Sequence, residues 1–485
     1  MITVSNKKHW LEEQKENHGS KNALIYNKSV LTFSELFQQS NIISSSLIQK
    51  GIKPGDKIGL LFNHSAEFII ALNALWFAGS IPVLINTRNR AEEIANQLEF
   101  TETKIIITDE PNYDKSIAIN SSRVFRLSEL ISDKQNIISN VPFDLDNIAV
   151  MLFTSGSTNK PKAVTHTFNN LYQSVLLINN ISKLTTDDIW LASLPFYHIG
   201  GLMILVRALV TGSTIALPET TNYIQIKEAI NKYNPSHVSM VSTTLKQLLD
   251  EDTLPNTNLK FVYLGGGHLD PLLCERAIKN GFPLTKVYGS TETCSMIVAL
   301  SKDDFLSKPN SVGKPIGDTI VKIVSETGEF SEPYKTGEII ISCKTVMKEY
   351  YKNAEETERK IKNGYYYTGD FGWIDKDGYL YIDLRREDLI VTGGENVNPK
   401  EIEQFIVQLP SVTDTYVFGE PDDKWGQIVC AAVVTNHQIN ENELKEQLKN
   451  MLANYKVPKK IYFIDRIPRN ELGKVEKQIL IASLH

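Results

Sequence analysis

The stretch Leu152-Phe153-Thr154-Ser155-Gly156-Ser157-Thr158-Asn159-Lys160-Pro161-Lys162-Ala163-Val164 joins an apolar run to a loop rich in hydroxyl groups. The run from Ile148 to Phe153 predicts a buried strand, and Ala163-Val164-Thr165 predicts an extended segment after the loop. In the loop, hydroxyl and backbone N–H groups can donate to phosphate oxygens, the glycine allows close approach, and two lysines supply positive charge. The common phosphate loop requires Gly-Lys followed by Ser or Thr, whereas here a proline follows the first lysine. The stretch therefore predicts a phosphate-binding loop of another kind, with a polar turn between strands as the alternative.

Short apolar runs alternate with amphipathic segments from Ala23 to about Val324. The predicted strands are Ile58–Phe62, Lys104–Thr108, Thr214–Leu217 and Phe261–Leu264, and the predicted helices are Ser34–Gln49, Ala91–Phe100, Thr167–Asn180 and Asp270–Asn280. Such alternation predicts an α/β fold with largely parallel sheets that are covered by helices. The apolar stretch from Phe68 to Ile85 contains Asn, Gly and Pro, so it predicts a buried helix and a strand rather than a membrane span.

Composition limits the class of protein. Apolar residues make up 42% and charged residues 22% of the 485, which indicates a packed soluble protein. The net charge of -6 argues against a dedicated nucleic-acid binder. The four cysteines form no CxxC pair and the N-terminal residues show no apolar secretion signal. We therefore expect reduced thiols and a cytoplasmic protein.

A domain boundary is predicted near Arg385-Arg386-Glu387-Asp388, where four charges precede a Gly-Gly pair and a proline. It divides the chain into an N-terminal domain, 1–386, and a C-terminal domain, 387–485. The second contains predicted helices and strands that indicate a small α+β domain: Lys400–Leu409 and Glu441–Leu452 as helices, and Thr415–Phe418, Ile428–Thr435 and Ile461–Ile464 as strands.

Polar clusters follow several of the predicted strands, where ligands of α/β folds bind. They are Ser193–Gly201, Gly265–His268 and Tyr288–Ser295, and a further motif, Tyr367–Asp370, lies within a strand-rich region that extends to Leu384. Each has a structural alternative, because a glycine run can be a tight turn, a histidine can be structural, Thr-Glu-Thr can cap a helix and Gly-Asp can form a turn. Lys474, in a Gly-containing loop near the chain end, would by itself be a solvated lysine.

Taken in order, these motifs resemble the adenylate-forming superfamily of acyl-CoA synthetases, peptide-synthetase adenylation domains and luciferases, and the resemblance covers nearly the whole chain. Within it, Thr392–Asn396, Leu194–His198 and Thr291–Cys294 are most similar to aryl-acid CoA ligases. The resemblance implies a large N-terminal domain with a β-barrel-like part and a small mobile C-terminal domain. It also implies two half-reactions: a carboxylate attacks the α-phosphorus of ATP and releases pyrophosphate, and the thiol of coenzyme A then attacks the acyl-adenylate and releases AMP.

The resemblance assigns the nucleotide contacts. The β- and γ-phosphates would be held by Thr154, Ser155, Gly156, Ser157, Thr158 and Lys162. The family usually has glycine at Asn159 and Ala163, which predicts a stiffer loop here. The adenine would lie against Gly265, Gly266, Gly267 and Tyr288. Thr291 would bond the α-phosphate, Glu292 would bind Mg²⁺, and Asp370 and Arg385 would take the ribose hydroxyls.

The remaining assignments concern the acid, coenzyme A and the C-terminal domain. Lys474 would bridge the substrate carboxylate and the α-phosphate, and Glu387, where relatives commonly have Asp or Lys, would be the pivot of the domain. His198 and Gly266 would line the acid site. Arg207 would pair with a second carboxylate of a diacid, or with a carboxylate of the protein as the alternative. The coenzyme A site would comprise Arg88, Trp425, Tyr455 and Lys459, which could equally be a surface cluster.

The expected partners are a small carboxylic acid, ATP and coenzyme A, with no nucleic acid and no membrane span. The oligomeric state, a homodimer included, stays open. The alternatives are a ligase for benzoate-type or fatty acids, an adenylation enzyme that loads a carrier protein, and a non-catalytic nucleotide sensor. A sensor would lack the magnesium carboxylate or the terminal lysine, whereas Glu292 and Lys474 are both present.

Overall fold

The structure is a computed structural model and describes residues 8–119, 123–131, 141–154, 162–266, 269–325, 327–385, 390–392, 395–397, 399–422, 425–437, 439–452, 454–471 and 473–484. The chain divides into two compact units. Unit 1 comprises Met1–Ile320 and Ser342–Tyr366, and unit 2 comprises Val321–Ile341 and Tyr367–His485.

The helices of the described ranges are α1 (Trp10–His18), α2 (Phe33–Gln49), α3 (Ala66–Phe77), α4 (Ala91–Phe100), α5 (Tyr113–Ala118), α6 (Leu127–Ile131), α7 (Phe168–Ser182), α8 (Ile199–Thr211), α9 (Tyr223–Tyr233), α10 (Ser242–Asp250), α11 (Pro271–Lys279), α12 (Lys302–Phe305), α13 (Ala354–Lys360), α14 (Pro399–Val407), α15 (Glu441–Lys449) and α16 (Lys477–Leu484). A short 3₁₀ turn covers Glu110–Asn112.

The strands of the described ranges are β1 (Asn22–Tyr26), β2 (Ser29–Thr32), β3 (Lys57–Leu61), β4 (Ile81–Leu84), β5 (Ile105–Thr108), β6 (Arg123–Arg126), β7 (Ile148–Thr154), β8 (Lys162–Thr167), β9 (Ile189–Leu191), β10 (Thr214–Leu217), β11 (His237–Met240), β12 (Phe261–Leu264), β13 (Leu284–Ser290), β14 (Ser295–Leu300), β15 (Lys314–Pro315), β16 (Ile320–Val324), β17 (Gly337–Ser342), β18 (Glu349–Tyr350), β19 (Ile361–Lys362), β20 (Tyr365–Ile374), β21 (Leu380–Arg385), β22 (Ile390–Thr392), β23 (Glu395–Val397), β24 (Val412–Asp422), β25 (Gly426–Thr435) and β26 (Lys460–Phe463).

Unit 1 contains two large sheets. Among the described residues, nine strands form the first sheet in the order β15-β14-β13-β12-β11-β9-β10-β1-β2, and seven form the second in the order β18-β8-β7-β4-β3-β5-β6. The first sheet is parallel from β13 to β1 and the second from β7 to β6, with antiparallel strands at the other positions. The prediction of largely parallel, helix-covered sheets is thus confirmed.

The apolar pattern explains why the helices lie where they do. From Gly201 to Val210 every residue of α8 is buried, as expected for a helix that is apolar on all sides apart from one residue, Arg207. The stretch from Phe68 to Ile85 divides into α3 and β4, as predicted. No helix of the described part of the chain combines the length and apolarity that crossing a membrane requires.

In unit 2, β25 is buried on both faces, and the alternation of its side chains assigns a separate core to each face. Val429, Ala431 and Val433 pack with residues of α14 and α15, whereas Ile428, Cys430 and Ala432 pack with Phe418 of β24 and Leu480 of α16. The remaining strands of this sheet are β23, β22 and β26, while β16, β17, β20 and β21 pair with one another in a second sheet. A small α+β C-terminal part is therefore present, whereas the boundary at 386 stays a prediction.

Four histidines of unit 1 predict a stability that depends on pH. Burial lowers the pKa of His9 to about 3 and the pKa values of His64, His166 and His237 to about 4. Their ordinary value is about 6.5, so below that pH the unfolded chain binds more protons and stability falls as the pH drops. We expect the free energy of unfolding to decrease from pH 7 to pH 5 by up to about 1.4 kcal/mol per pH unit for each histidine, measured by urea unfolding.

The variant His237→Phe provides the control, because a phenyl ring can keep the stacking on Trp190 and Phe261. It should reduce the slope of stability against pH without abolishing it. A free energy of unfolding that is constant between pH 7 and pH 5 would contradict the assignment.

Candidate active site

The phosphate loop predicted at 155–161 is bounded by an antiparallel pair of strands, β7 and β8. Thr154 at the end of β7 lies opposite Lys162 at the start of β8. Ser155, Gly156, Ser157 and Thr158 lie outside the described residues. The two strands therefore place the hydroxyl of Thr154 and the amine of Lys162 at the two ends of this segment.

Strand β18 pairs with β8 on its other side, with Tyr350 opposite Val164. Lys162 is two residues before Val164 and therefore shares its face of the sheet. The Lys162 amine accordingly lies 5.9 Å from the centre of the Tyr350 ring. It also forms an ion pair of 3.1 Å with Glu356 of α13.

The hydroxyl of Tyr350 links this edge of the sheet to Glu292. It donates a 2.9 Å hydrogen bond to Oε1 of Glu292, and Tyr366 is buried in the same region. Burial and the charge of Glu292 raise the pKa values of both phenols far above their usual range. Both tyrosines therefore remain neutral hydrogen-bond donors beside the carboxylate.

The segment between β13 and β14 carries Thr291 and Glu292 and has an unusual backbone. Cys294 and Ser295 have φ angles of 56° and 85°, in the left-handed region. The hydroxyl of Thr293 stabilises the turn by accepting from the backbone N–H of Ser290 at 2.8 Å. Thr-Glu-Thr is thus part of a tight turn, and no helix begins there.

His166 supports this turn from β8. Its Nε2 lies 2.7 Å from the carbonyl oxygen of Thr291, so the neutral imidazole carries its proton on Nε2 and donates it there. Burial lowers the pKa of His166 to about 4, which keeps the ring neutral at physiological pH. The carbonyl oxygen of Thr291 is thereby held in place by a buried, neutral ring.

The surroundings of Glu292 fit the predicted Mg²⁺ ion. Its Oε1 accepts from Tyr350, and no hydrogen bond from the described residues reaches Oε2. Mg²⁺ bound with a nucleotide commonly takes one or two protein carboxylates and obtains its other oxygens from phosphates and water. In the described ranges, no group of three or more His, Cys, Asp or Glu residues is placed so that it could hold a metal ion by itself.

Glycines follow β12 beside the position of Tyr288. Strand β12 pairs with β13, which brings Leu264 opposite Lys286. A Cβ atom on Gly265 would lie 2.8 Å from a methyl group of Val287, and Gly266 has a φ of 92°. Both positions therefore require glycine for packing or backbone reasons. Gly267 lies outside the described residues.

The residues predicted for the acid flank the start of α8. His198 immediately precedes the helix, and its ring lies 4.8 Å from that of Tyr197. Burial raises the pKa of Tyr197 to about 12, and the positive charge of Arg88 opposes this rise. Arg88, predicted for coenzyme A, thus lies near the segment predicted to line the acid site.

Arg207 is fully buried in α8. Its guanidinium lies 5.1 Å from the Trp190 ring centre and donates through Nη2 to Ser295 Oγ at 3.3 Å. Its Nε has no hydrogen-bond partner, and no carboxylate of the described ranges lies within ion-pair distance. Burial lowers the pKa of Arg207 to about 10, so it remains charged at pH 7. The protein carboxylate considered as the alternative partner is therefore not found in the part of the chain that the structure describes.

Several predicted residues belong to unit 2. Asp370 lies opposite Arg385 in the β20–β21 pair, and the N–H of Gly369, at a φ of 81°, donates to Glu338. Near Lys474, the N–H of Asn470 donates to the carbonyl oxygen of Lys474 at 2.8 Å, and the N–H of Lys474 donates to the side-chain oxygen of Asn470 at 3.0 Å. Other residues of these motifs, Glu387, Gly393 and Gly394 among them, lie outside the described ranges.

Of the three predicted coenzyme A residues of unit 2, Trp425 and Lys459 are in contact. The Lys459 amine lies 4.2 Å from the ring centre of Trp425, a cation–π contact. Trp425 and Tyr455 are exposed, at 39% and 43%. The contact fits an adenine and phosphate site but equally fits a surface cluster.

Sequence reasoning missed Tyr350, Glu356 and His166. The signal for His166 was its position in β8 directly after the phosphate loop. Tyr350 and Glu356 carry no local signal, because their roles arise from the pairing of β18 with β8, which joins segments far apart in the chain.

Residues 11–351 match the family of AMP-binding enzymes, and residues 401–474 match the AMP-binding enzyme C-terminal domain. Because the first match covers most of the chain, the protein belongs to the AMP-binding enzyme family.

Within this class, the chain is similar to the 2-succinylbenzoate–CoA ligase of Bacillus subtilis, with 34% identity over 96% of both chains. The structure of o-succinylbenzoate CoA synthetase from Bacillus subtilis with the acyl-adenylate intermediate has a TM-score of 0.91, 33% identity and 98% coverage of both chains. The same enzyme with ATP and magnesium ion has a TM-score of 0.90 and 33% identity, covering 97% of this chain and 99% of its own.

A substitution at Gly289 tests whether the backbone of the Thr291–Glu292 turn is constrained. A Cβ atom there would lie 1.8 Å from the carbonyl oxygen of Ser295. The variant Gly289→Ala must therefore shift the turn, and we expect a loss of about 1–3 kcal/mol in the free energy of unfolding together with weaker ATP binding.

Gly200→Ala is the matched control, since its Cβ would meet only the end of the Leu194 side chain. Denaturant unfolding of both variants measures the difference. Equal stability of Gly289→Ala and the parent protein would show that the turn is not constrained as described.

Proposed function

We propose that the protein is an ATP-dependent, AMP-forming acid–CoA ligase that converts 2-succinylbenzoate to its coenzyme A thioester in menaquinone biosynthesis, in the cytoplasm. The observation that carries this proposal is the convergence of Lys162, Glu292 and Thr291 at one edge of unit 1, in a chain similar along nearly its whole length to ligases of this acid.

In the first half-reaction the protein contributes charge and position. Lys162 and the N–H and hydroxyl groups of the preceding loop hold the β- and γ-phosphates, and Thr291 holds the α-phosphate. A magnesium ion held by Glu292 would neutralise phosphate charge. Tyr350 orients that carboxylate, and His166 fixes the carbonyl of Thr291.

Unit 2 supplies the remaining groups. Asp370 and Arg385 take the ribose hydroxyls, and a C-terminal domain, 387–485, turns at Glu387 to bring Lys474 to the junction of the carboxylate and the α-phosphate. In the second half-reaction coenzyme A, held by Arg88, Trp425, Tyr455 and Lys459, attacks the acyl-adenylate and AMP leaves.

The buried charge of Arg207 favours a diacid substrate over a benzoate-type or fatty acid. A buried guanidinium without a carboxylate partner among the described residues is costly unless a ligand supplies one. The second carboxylate of 2-succinylbenzoate has the required charge, with His198 lining the same acid site. A carrier-loading enzyme or a nucleotide sensor gives no reason for this charge.

Thioester formation from ATP, coenzyme A and an acid panel tests the proposal. We expect turnover with 2-succinylbenzoate and much lower kcat/KM with benzoate and fatty acids. Turnover of a fatty acid above that of 2-succinylbenzoate would identify another acid ligase, and adenylate formation without transfer to coenzyme A would indicate a carrier-loading enzyme.

Lys474→Ala should affect the two half-reactions differently. Removing one cation that stabilises the developing charge should raise the adenylation barrier by about 3–4 kcal/mol, while thioester formation from preformed acyl-adenylate proceeds at nearly the parent rate. Single-turnover kinetics of each half-reaction measure this. Lys477→Ala, nearby in α16, is the control, and equal losses in both half-reactions would contradict the role of Lys474.

Arg207→Leu should discriminate between substrates. A hydrogen bond to a charged group contributes about 1.5–3 kcal/mol, so kcat/KM should fall roughly 10- to 150-fold for the diacid and little for a counterpart that lacks one carboxylate. Leucine should be tolerated because the site is apolar and no protein carboxylate of the described ranges pairs there. Equal losses for both acids would remove Arg207 from substrate recognition.

A further inference from the structure

Glu356 is the carboxylate that contacts the lysine at the end of the phosphate loop. Its Oε1 lies 3.1 Å from the amine of Lys162, and both side chains are largely shielded, with 13% and 26% exposed. A triphosphate bound by Lys162 would place its own oxygens beside the amine, in the position that the Glu356 carboxylate occupies. The two anions therefore compete for one ammonium group.

The position of Glu356 is fixed by local structure. It lies in the first turn of α13, where its N–H donates to the side chain of Asn353, the residue that caps the helix. Thr357 accepts from the N–H of Tyr350 at 3.0 Å, which attaches the helix to β18. Glu356 thus belongs to the same frame that positions Tyr350 and Glu292.

Glu356 does not depend on Lys162 for its own charge balance. Arg359 donates to both of its oxygens, from Nε at 2.6 Å and from Nη2 at 2.7 Å. These bonds, and secondarily Lys162, lower the pKa of Glu356 to about 2. When Lys162 turns to a phosphate, the carboxylate remains paired, so the exchange leaves no isolated charge.

We infer that Glu356 is a positioning residue that holds Lys162 while no polyphosphate is bound, and that this ion pair limits the affinity for ATP and promotes release of pyrophosphate. The inference rests on the proposed function, because it takes Lys162 as a ligand of the β- and γ-phosphates. It adds Glu356 as a carboxylate that regulates how strongly Lys162 binds these phosphates.

The variant Glu356→Gln keeps the side-chain shape and an oxygen that can accept from Lys162, but it removes the competing charge. We expect the dissociation constants of ATP and of pyrophosphate to fall about three- to tenfold, as the loss of a partly exposed ion pair implies. Binding is measured by calorimetry without acid substrate. The affinity for AMP, which lacks both outer phosphates, should be unchanged.

Two controls separate this role from a general effect of charge. Glu358→Gln removes the same charge at an exposed position of α13 and should leave ATP affinity unchanged. In a Lys162→Met background, Glu356→Gln should no longer strengthen ATP binding, because the competition requires the amine.

The results that would overturn this inference differ from the result that would overturn the proposed function. Weaker or unchanged ATP binding by Glu356→Gln, an equal change for AMP, or an effect that persists without Lys162 would overturn the inference. If the parent protein binds neither ATP nor pyrophosphate, the proposed function itself is wrong.

Discussion

The hydrogen bond from Tyr350 to Glu292 is the contact on which the arrangement of the site depends. Tyr350 belongs to β18, and β18 pairs with β8, which begins at Lys162. One short strand therefore sets the distance between the carboxylate predicted for the metal and the amine predicted for the phosphates. Because the phenol is buried and neutral, it donates to Glu292 without adding charge.

Lys162 and Glu292 are each held by a neighbouring side chain of unit 1. Lys162 pairs with Glu356, and Glu292 accepts from a phenol while one of its oxygens receives no hydrogen bond from the described residues. Arg207 is the exception, since the described part of the chain offers it no carboxylate. Groups that are held in place before the substrate arrives need little reorganisation during the reaction, which is how preorganised electrostatic stabilisation acts.

Much of the fold could be predicted from local patterns. Apolar runs bounded by turn residues predicted β10 and β12 to the residue, and amphipathic spacing predicted α4 equally well. Strand β24 extends well beyond the predicted Thr415–Phe418, because its ends are stabilised by pairing along β25 and not by their own sequence. The ordered motifs predict roles for Lys162, Thr291 and Glu292. Their partners Tyr350 and Glu356 come from pairing between distant segments, which a single sequence does not reveal. The pivot assigned to Glu387 lies outside the described residues and stays a prediction.

The central claim is that unit 1 binds ATP and magnesium for attack by a carboxylate. The most direct measurement is acid-dependent exchange of labelled pyrophosphate into ATP, with the parent protein and with Glu292→Gln. The account predicts exchange only when Mg²⁺ and 2-succinylbenzoate are both present, and a loss of most of it in the variant. Exchange with no acid of a broad panel, or undiminished exchange in Glu292→Gln, would contradict it.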